Sequence, residues 1–343
     1  MHLSRAFLLA IVLMAVIFSG TGCWIDGMGW PRARFERTVE LRHPMAPGLT
    51  LAASTTSGSI GVSGRAVEEA VVVATIEGRA DDEEEAVRIA EQTVVRFEPR
   101  DDGLVVRADK PELRRRQSVS ISYEILVPRQ TSVECGSTSG SVEVAGLEGD
   151  VRAKAVSGAV GASGIEGGDI NLDSTSGQVR LSNAAQIGYC RMHTSSGRIL
   201  ASMVEISTSL EIGSTSGPID VSDAMAEGIA LRSVSGSVTA RDIQCAHVNA
   251  ESGSGCVAIY FAAKTGVAGG LYADLDSTSG SVHLLLPPDF AGQVDLSSTS
   301  GAVRTDRPLE IKGQIDRRHI VGAMGQGPGR VTARSRSGSV RVR

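Results

Sequence analysis

Serine is the residue of this sequence with the most obvious chemical potential, because one short serine-rich motif occurs again and again. "STSGSV" at 137–142 returns as "STSGQV", "TSSGRI", "STSGPI", "SVSGSV", "STSGAV" and "SRSGSV" further along the chain. A serine nucleophile needs a neighbouring general base, most often histidine. Eleven copies cannot all be catalytic, and no copy is paired with a histidine. The motif therefore predicts a repeated structural turn, and we identify no catalytic residue in it.

Carboxylates are the second candidate chemistry. Asp274, Asp276 and Asp295 fall on outward positions, and sequential stacking of the repeats would place them on one face of neighbouring repeats. Crowded carboxylate oxygens are the ligands that Ca²⁺ prefers. The alternative is a solvated polar row, which the pattern favours, so these three residues are a weak calcium candidate and no metal or other cofactor is predicted.

An enzyme that acts on polysaccharides would need an acid and a base converging on one outer face. The outward column four residues before the motif glycines is mixed in charge and shows no concentrated acid and base set. Its residues are Gly136, Lys154, Asp173, His193, Gly213, Arg232, Glu251, Asp276, Ser297 and Arg334. His193 and His283 are each isolated in the pattern, and we expect both to be ordinary surface residues.

The cysteines indicate packing more than chemistry. Cys135 and Cys190 fall on inward positions beside aliphatic residues, where a thiol behaves as a small buried hydrophobe. Cys135, Cys190 and Cys245 lie 55 residues apart in sequence, or about 14 Å apart in a stack of strands, which is beyond disulfide reach. A pair between Cys245 and Cys256 stays open, and no spacing resembles a zinc site.

The elements that carry these residues follow from the glycine of the motif. From Gly140 to Gly255 the steps are 18, 19, 20, 20, 19 and 19 residues, a period typical of solenoid repeats. A β-branched aliphatic residue follows each glycine by two, and alternation on both sides of the turn indicates two short strands per repeat. The sequence predicts an all-β, single-stranded parallel β-helix, or β-solenoid, of about 19-residue coils. The motif glycines are Gly58, Gly140, Gly158, Gly177, Gly197, Gly217, Gly236, Gly255, Gly280, Gly301 and Gly338.

The turn itself has a predicted geometry. We expect each motif glycine at the corner between two strands to adopt positive φ, which only glycine does at little cost. Serine and threonine at the corner are expected to hydrogen-bond their own backbone and the coils above and below.

One stretch, at about 78–127, interrupts the period and is predicted to be a helix and strand insertion. Helical spacing places Val87, Ala90, Val94 and Phe97 on one face, with Asp81 and Glu84 as a capping start. The acidic run 81–85 is interpreted as favourable charge at a helix N-terminus and not as a site. The insertion is expected to cap the first coils, and the irregular segment 305–331 to match it near the other end.

Composition agrees with a thin, strand-rich fold. The chain of 343 residues has 40 glycines, 3% aromatic residues and a net charge of −5. These values suit many short strands and tight turns better than a helical bundle or a large aromatic core. The absence of a basic patch interleaved with aromatic residues argues against nucleic acid as a partner.

The N-terminus predicts export. A basic start, the apolar run 6–18 and small residues up to Cys23 form a signal peptide at 1–22. The small residues before Cys23 resemble a bacterial lipobox, although Gly20 stands where an aliphatic residue is usual. We predict lipidation of Cys23 and a tether at 23–34; the alternative is ordinary cleavage and secretion. Whether an inner or an outer membrane would hold the lipid is open.

The motifs together resemble a known family. "TSGSIGV", "ISYEILVP" leading into "GSTSGSVEVAGLEGDV", and the closing "SRSGSVRV" resemble the bacterial putative adhesin family, akin to the head-GIN auto-transporter adhesin domain. The resemblance covers about 35–343 and implies a β-solenoid that is not an enzyme and binds an envelope or extracellular protein or glycan. Two alternatives stay open: an envelope accessory in structure or stress signalling that binds a protein, and a carbohydrate-active β-helix enzyme.

Overall fold

The computed structural model describes residues 15–16, 33–263, 270–311 and 316–343. Most of the predicted signal peptide and tether, including Cys23, lies outside the described residues. Within the described part, no helix is long and apolar enough to cross a membrane.

Thirty strands and one helix make up the described residues. The first part of the chain contains β1 (Ala15–Val16), β2 (Ala33–Pro44), β3 (Thr50–Thr55), β4 (Ile60–Arg65), β5 (Glu69–Ala80), α1 (Glu83–Gln92), β6 (Val94–Arg100), β7 (Gly103–Asp109) and β8 (Ser118–Pro128). The middle contains β9 (Ser132–Ser137), β10 (Val142–Ala145), β11 (Val151–Ala155), β12 (Val160–Glu166), β13 (Ile170–Ser174), β14 (Val179–Ile187), β15 (Cys190–Thr194), β16 (Ile199–Ile206), β17 (Ser209–Ser214), β18 (Ile219–Met225), β19 (Gly228–Ser233), β20 (Val238–Ile243), β21 (His247–Ser252) and β22 (Val257–Phe261). The last part contains β23 (Tyr272–Ser277), β24 (Val282–Leu285), β25 (Gly292–Ser298), β26 (Val303–Thr305), β27 (Glu310–Ile311), β28 (His319–Met324), β29 (Gly329–Ser335) and β30 (Val340–Val342).

These strands form two facing sheets of fifteen strands each. Sheet A contains β4 and the even-numbered strands β10 to β24, and sheet B contains β3 and the odd-numbered strands β9 to β23, so each coil gives one strand to each sheet. Neighbouring coils pair in parallel, as when Ile219 pairs with Val238 and Val238 with Val257. The predicted β-solenoid with two strands per coil is therefore confirmed.

Alternation within each strand creates the core. In β13, Ile170 and Leu172 are fully buried while Asn171 and Asp173 face outward. The inward residues of successive coils stand in register and form one continuous apolar cluster between the sheets. The β-branched residues that follow the motif glycines by two supply the sheet A side of this core, as the sequence predicts.

The second corner of the coil has a backbone feature of its own. In six coils, the backbone enters the left-handed region six residues after the motif glycine, with φ between 52° and 68°. The pairing shifts by one residue at this corner in two of the coils, as a β-bulge requires. Glycine occupies the position in only two coils; the full set is Gly146, Gly164, Asn183, Met203, Asp223 and Asp242.

The insertion closes one end of the stack. β8 pairs with β4 in parallel and with β5 antiparallel, and β5 pairs antiparallel with β2 over twelve residues. Helix α1 packs on β2 and β5, and the Arg37 side chain donates hydrogen bonds to the carbonyl oxygens of Ala90 and Thr93 at the helix end. Strand β8 of the inserted segment thus pairs with the edge of the first coil in sheet A, where the sequence analysis expects a cap.

The helix is shorter than the sequence pattern predicts. It ends at Gln92, and Val94, 52% exposed, already belongs to strand β6. Its buried face contains Ala86, Ile89 and Ala90. The prediction that Val94 and Phe97 share a helical face is wrong, because β6 instead forms a hairpin with β7 at the edge of sheet B.

The order of the last coils also differs from the sequence order. The C-terminal coil, β29 and β30, lies between the coil of β23 and β24 and the coil of β25 and β26. Strands β28 and β27 then pair antiparallel beyond β25. After β24 the chain leaves one coil position open and forms the coil of β25 and β26 beyond it. The final residues of the chain then return and form β29 and β30 in the open position.

Candidate functional site

The serine-rich corner is a hydrogen-bond ladder. The first hydroxyl of each motif points inward: Ser233 Oγ donates to the Gly217 carbonyl oxygen of the preceding coil at 3.3 Å and accepts from the Gly236 N–H of its own coil at 2.8 Å. Ser252 and Ser277 repeat both bonds. The ladder matches the expected bonding within and between coils.

The hydroxyls of this ladder are not placed as nucleophiles. Ser252 and Ser277 are buried, and each hydroxyl is held between two backbone groups. A nucleophile must reach substrate and a base, so the corner is scaffold, as the sequence predicts. One coil lacks the ladder residue, because Ala155 stands in register between Ser137 and Ser174.

The reason for glycine at this corner is different from the expected one. Among the eleven motif glycines, only Gly58 has φ in the left-handed region, at +121°. In the other ten the constraint is close approach: a Cβ on Gly217 would overlap the Gly197 carbonyl oxygen of the preceding coil. The predicted positive φ is wrong for these ten; in six of their coils the left-handed residue lies at the second corner instead.

Three of the four described cysteines are buried in the core. Burial raises the pKa of the Cys135 and Cys245 thiols to about 12 and raises that of Cys190 further, which keeps all three as inert thiols near neutral pH. Cys135 pairs in register with Ala53 and Ala153. Cys245 and Cys256 are both free, so the open possibility of a disulfide is not realised in this structure.

The three aspartates proposed as a weak calcium site are not brought together on neighbouring coils. Asp274 and Asp295 both stand opposite Thr332, one on each side of the intercalated C-terminal coil. Asp295 Oδ1 instead lies 3.0 Å from His319 Nε2. The prediction assumed sequential stacking, and the insertion of β29 removes its geometric basis.

The acidic run at 81–85 serves the helix. Asp82 is the N-cap and accepts a hydrogen bond from the Glu85 N–H at 2.8 Å, while Glu85 pairs with Arg88. Asp81, the residue predicted as the cap, pairs with Arg116 at 3.2 Å. Negative charge at the helix N-terminus is stabilising, as the sequence analysis expects of this run. The capping residue is Asp82, one position after the predicted Asp81.

The outer face of sheet B carries an open depression with a volume of about 660 Å³. We call it the sheet B groove. It follows a single outward column, in which one residue from each of six strands stands in register: His193, Gly213, Arg232, Glu251, Asp276 and Arg334.

Both signs of charge occur along this groove. Arg232 Nε lies 3.7 Å from Glu251 Oε2, and His193 Nδ1 lies 3.5 Å from Asp173 Oδ1 just beyond the groove. Burial and the neighbouring Asp274 raise the pKa of Asp276 above its usual range, although Arg334 opposes the shift. The groove thus presents hydrogen-bond donors and acceptors side by side.

Aromatic rings lie on the same face, beside the residues that line the groove. Tyr272 lies two residues before Asp274 on β23, and its ring, 40% exposed, stacks on His247 with 5.2 Å between centroids and 18° between planes. Tyr189 lies in the same row four coils before Tyr272 and donates a hydrogen bond to Glu211 at 2.7 Å. Gly228 and Ser209 between them leave a gap in the row.

The sequence pattern contained the groove column but not its significance. The sequence pattern predicts that all six residues of the column face outward. It also predicts that Ser297 precedes Arg334 in this column, but the intercalated coil places Arg334 between Asp276 and Ser297. His193 lies at the surface, and its ring atom Cδ2 is 3.3 Å from the position that a Cβ on Gly213 would take. The sequence analysis does not identify the aromatic row. The signal that could have revealed it is that two of the four tyrosines, Tyr189 and Tyr272, fall on one outward column.

Comparison with solved structures returns distant relatives. A putative adhesin from Parabacteroides merdae is 11% identical, with 89% of this chain and 96% of that chain covered and a TM-score of 0.35. A putative adhesin from Bacteroides fragilis is 12% identical, with 89% and 97% covered and a TM-score of 0.31. A putative lipid binding protein from Parabacteroides distasonis is 9% identical, with 89% and 96% covered and a TM-score of 0.34.

Comparison with curated proteins finds no match. Comparison with protein families gives a match to the Toastrack DUF4097 family over residues 114–343. The matched part begins before β8 and contains the coil stack from β9 to the intercalated C-terminal coil. By its sequence over two thirds of its length, and with a fold of stacked parallel coils, the chain belongs to the Toastrack DUF4097 family.

Proposed function

We propose that this chain is an exported, non-catalytic β-solenoid that presents a rigid binding surface at the cell envelope, in the manner of an adhesin. The observation that carries the proposal is the sheet B groove, where six in-register strands hold charged side chains in fixed rows on one face. Side chains mounted on paired strands are pre-organised, which lowers the entropic cost of binding. The proposed partner is an envelope or extracellular protein or glycan, and not nucleic acid.

The binding surface is tested by affinity capture from envelope extracts of the source cells. Wild-type protein and a variant with the groove filled, Gly213→Gln, are immobilised at equal density. We expect a component that the wild type retains and the variant loses. Equal capture by both proteins would show that the groove is not the binding surface, and a captured signalling protein would favour the stress-signalling alternative.

We also propose that a lipid on Cys23 anchors the exported chain to a membrane. Support comes from the apolar run 6–18 and the small residues before Cys23. Substitution Cys23→Ser is expected to move the protein from the membrane fraction to the soluble exported fraction, which immunoblotting of fractionated cells detects. A protein that stays with the membrane after substitution would contradict the anchor.

A carbohydrate-active enzyme is the second candidate, favoured by one observation. Glu251, Asp274 and Asp276 share the groove, and the pKa of Asp276 is raised, as a general acid requires. Release of reducing ends from polysaccharide, abolished by Glu251→Gln or Asp276→Asn, would establish catalysis. Tight binding without any release would support the non-catalytic proposal.

A further inference from the structure

From the geometry of the sheet B groove, we propose that it binds an uncharged, hydroxyl-rich oligosaccharide, with the Tyr272 ring as the platform for one sugar. This inference rests on the proposed function, because it names the chemical class of the partner for the same surface. The size of the depression, about 660 Å³, lies within the range of small-molecule sites.

The groove has its low floor at Gly213, because glycine has no side chain to fill it. Gly213 stands between His193 and Arg232 in the column, and a Cβ there would approach only the His193 ring, at 3.3 Å. The neighbours of Gly213 in the column, His193 of β15 and Arg232 of β19, both carry long side chains. Side chains of neighbouring coils therefore form walls around a low floor that is open to solvent.

The charges of the groove favour a ligand that both donates and accepts hydrogen bonds. Two guanidinium groups, Arg232 and Arg334, and three carboxylates, Glu251, Asp274 and Asp276, line it. A phosphate would meet the carboxylates, and a strongly basic peptide would meet the guanidinium groups, and like-charge contacts are unfavourable at such sites. Sugar hydroxyl groups can pair with both kinds of side chain at once.

The aromatic row supplies the apolar half of sugar recognition. Tyr272 and His247 stack on each other and remain exposed on the face that contains Asp274 and Asp276. An exposed aromatic face offers apolar area at low entropic cost, and the C–H face of a pyranose packs on such a ring. Only 3% of the chain is aromatic, and two of its four tyrosines fall in this row.

The inference is tested with the purified full-length exported chain. It is applied to an array of uncharged gluco-, manno-, galacto- and N-acetylglucosamine oligosaccharides, and the dissociation constant of the strongest ligand is measured by calorimetry. Tyr272→Ala is expected to weaken binding about tenfold, and Gly213→Gln to abolish it by filling the floor. The matched control is Tyr260→Ala, which removes a ring from the outer face of sheet A, where it packs under Arg241.

The outcomes separate this inference from the proposed function. Binding that is weakened by Tyr272→Ala and unchanged by Tyr260→Ala supports it, provided that circular dichroism melting shows the variants folded. No retention of any uncharged oligosaccharide by the wild type, or binding that survives both groove variants, overturns it. If capture from envelope extracts still depends on Gly213 in that case, the binding surface stands and its partner is not a glycan.

Discussion

At the scale of single residues, the repeated corner is governed by distance between backbones. Ten of the eleven motif glycines lie against the carbonyl oxygen of the equivalent glycine in the adjacent coil, and a Cβ has no room there. The hydroxyl beside it bonds that same carbonyl oxygen in several coils, as Ser174 does with Gly158. Glycine and serine therefore act together: one permits the close approach, and the other satisfies the backbone groups that the approach buries.

Substitution Gly217→Val tests this close approach. The new side chain would overlap the Gly197 carbonyl oxygen, and we expect a loss of about 1–3 kcal/mol in the free energy of unfolding. Thermal melting measures the effect. The exposed Ser216→Ala in the same turn and Gly213→Ala on the open outer face should each cost much less, and losses equal to that of Gly217→Val would contradict the argument.

Substitution Ala155→Ser tests the ladder from the opposite direction. Ala155 is the ladder position without a hydroxyl, in register with Ser137 and Ser174. A serine there can donate to the Gly140 carbonyl oxygen and accept from the Gly158 N–H, so we expect a gain of about 0.5–1.5 kcal/mol in stability. Chemical denaturation measures it.

The reverse change at a complete rung is the control for that gain. Ser233→Ala removes a hydroxyl that bonds the Gly217 carbonyl and the Gly236 N–H. A buried group left without a partner costs about 1–3 kcal/mol. A destabilising Ala155→Ser, or a neutral Ser233→Ala, would mean that the ladder does not stabilise the stack.

At the scale of elements, each strand is stabilised by the strands of the neighbouring coils. Val238 is fully buried between Ile219 and Val257. Val238→Asp would bury an unpaired carboxylate, and we expect it to cost on the order of 3 kcal/mol or more and to disturb several coils. Far-UV circular dichroism and thermal melting report the effect.

Thr239, the next residue along the same strand, is the matched control. Its side chain faces outward, so Thr239→Asp should keep a melting temperature near that of the wild type. A larger effect at Thr239 than at Val238 would reverse the assignment of inside and outside for the whole of sheet A.

The helix shows how local signals and tertiary contacts share the placement of an element. Acidic residues predict its N-terminus, and Asp82 provides the cap one position after the predicted residue. Its C-terminus is fixed from outside, because Arg37 of β2 binds the last carbonyl groups and β6 is drawn into a hairpin with β7. Helical periodicity alone continues past that point, which is why the predicted helix is too long.

At the scale of the whole molecule, the intercalated C-terminal coil joins the end of the stack to its body. β29 pairs with β23 on one side and β25 on the other. Deletion of 329–343 would therefore separate the coil of β25 and β26 from the rest. We expect the amides of β25 to lose protection in hydrogen exchange, while those of β13 and β15 keep theirs.

Sequential stacking makes the opposite prediction for that deletion. If the C-terminal coil were the outermost coil, its removal would leave β25 paired with β23 and still protected. Val340→Asp in the full chain is the matched test, because Val340 stands in register with both Val282 and Val303. Its effect should reach both neighbouring coils.

The sequence by itself determined the coil. Alternation of apolar and polar residues fixes which side chains face the core, so the inward columns, the outward columns, the buried cysteines and the two strands per coil all follow from spacing. The predicted export signal, the family resemblance and the structural role of the serine-rich turn also rest on local pattern. These features depend on residues within one repeat, where periodicity carries the information.

Only the tertiary structure determined the order in which the coils are stacked, and every feature that depends on that order. Every coil carries nearly the same motif, so the pattern does not encode that β29 enters between β23 and β25, and the proposed grouping of Asp274 with Asp295 failed for that reason. The glycine constraint comes from a carbonyl oxygen of the adjacent coil, as Gly140 meets that of Gly58 and Gly338 that of Gly280. The sheet B groove likewise takes one residue from each of six strands, and only stacking brings those residues together, because contacts between coils are non-local in the chain.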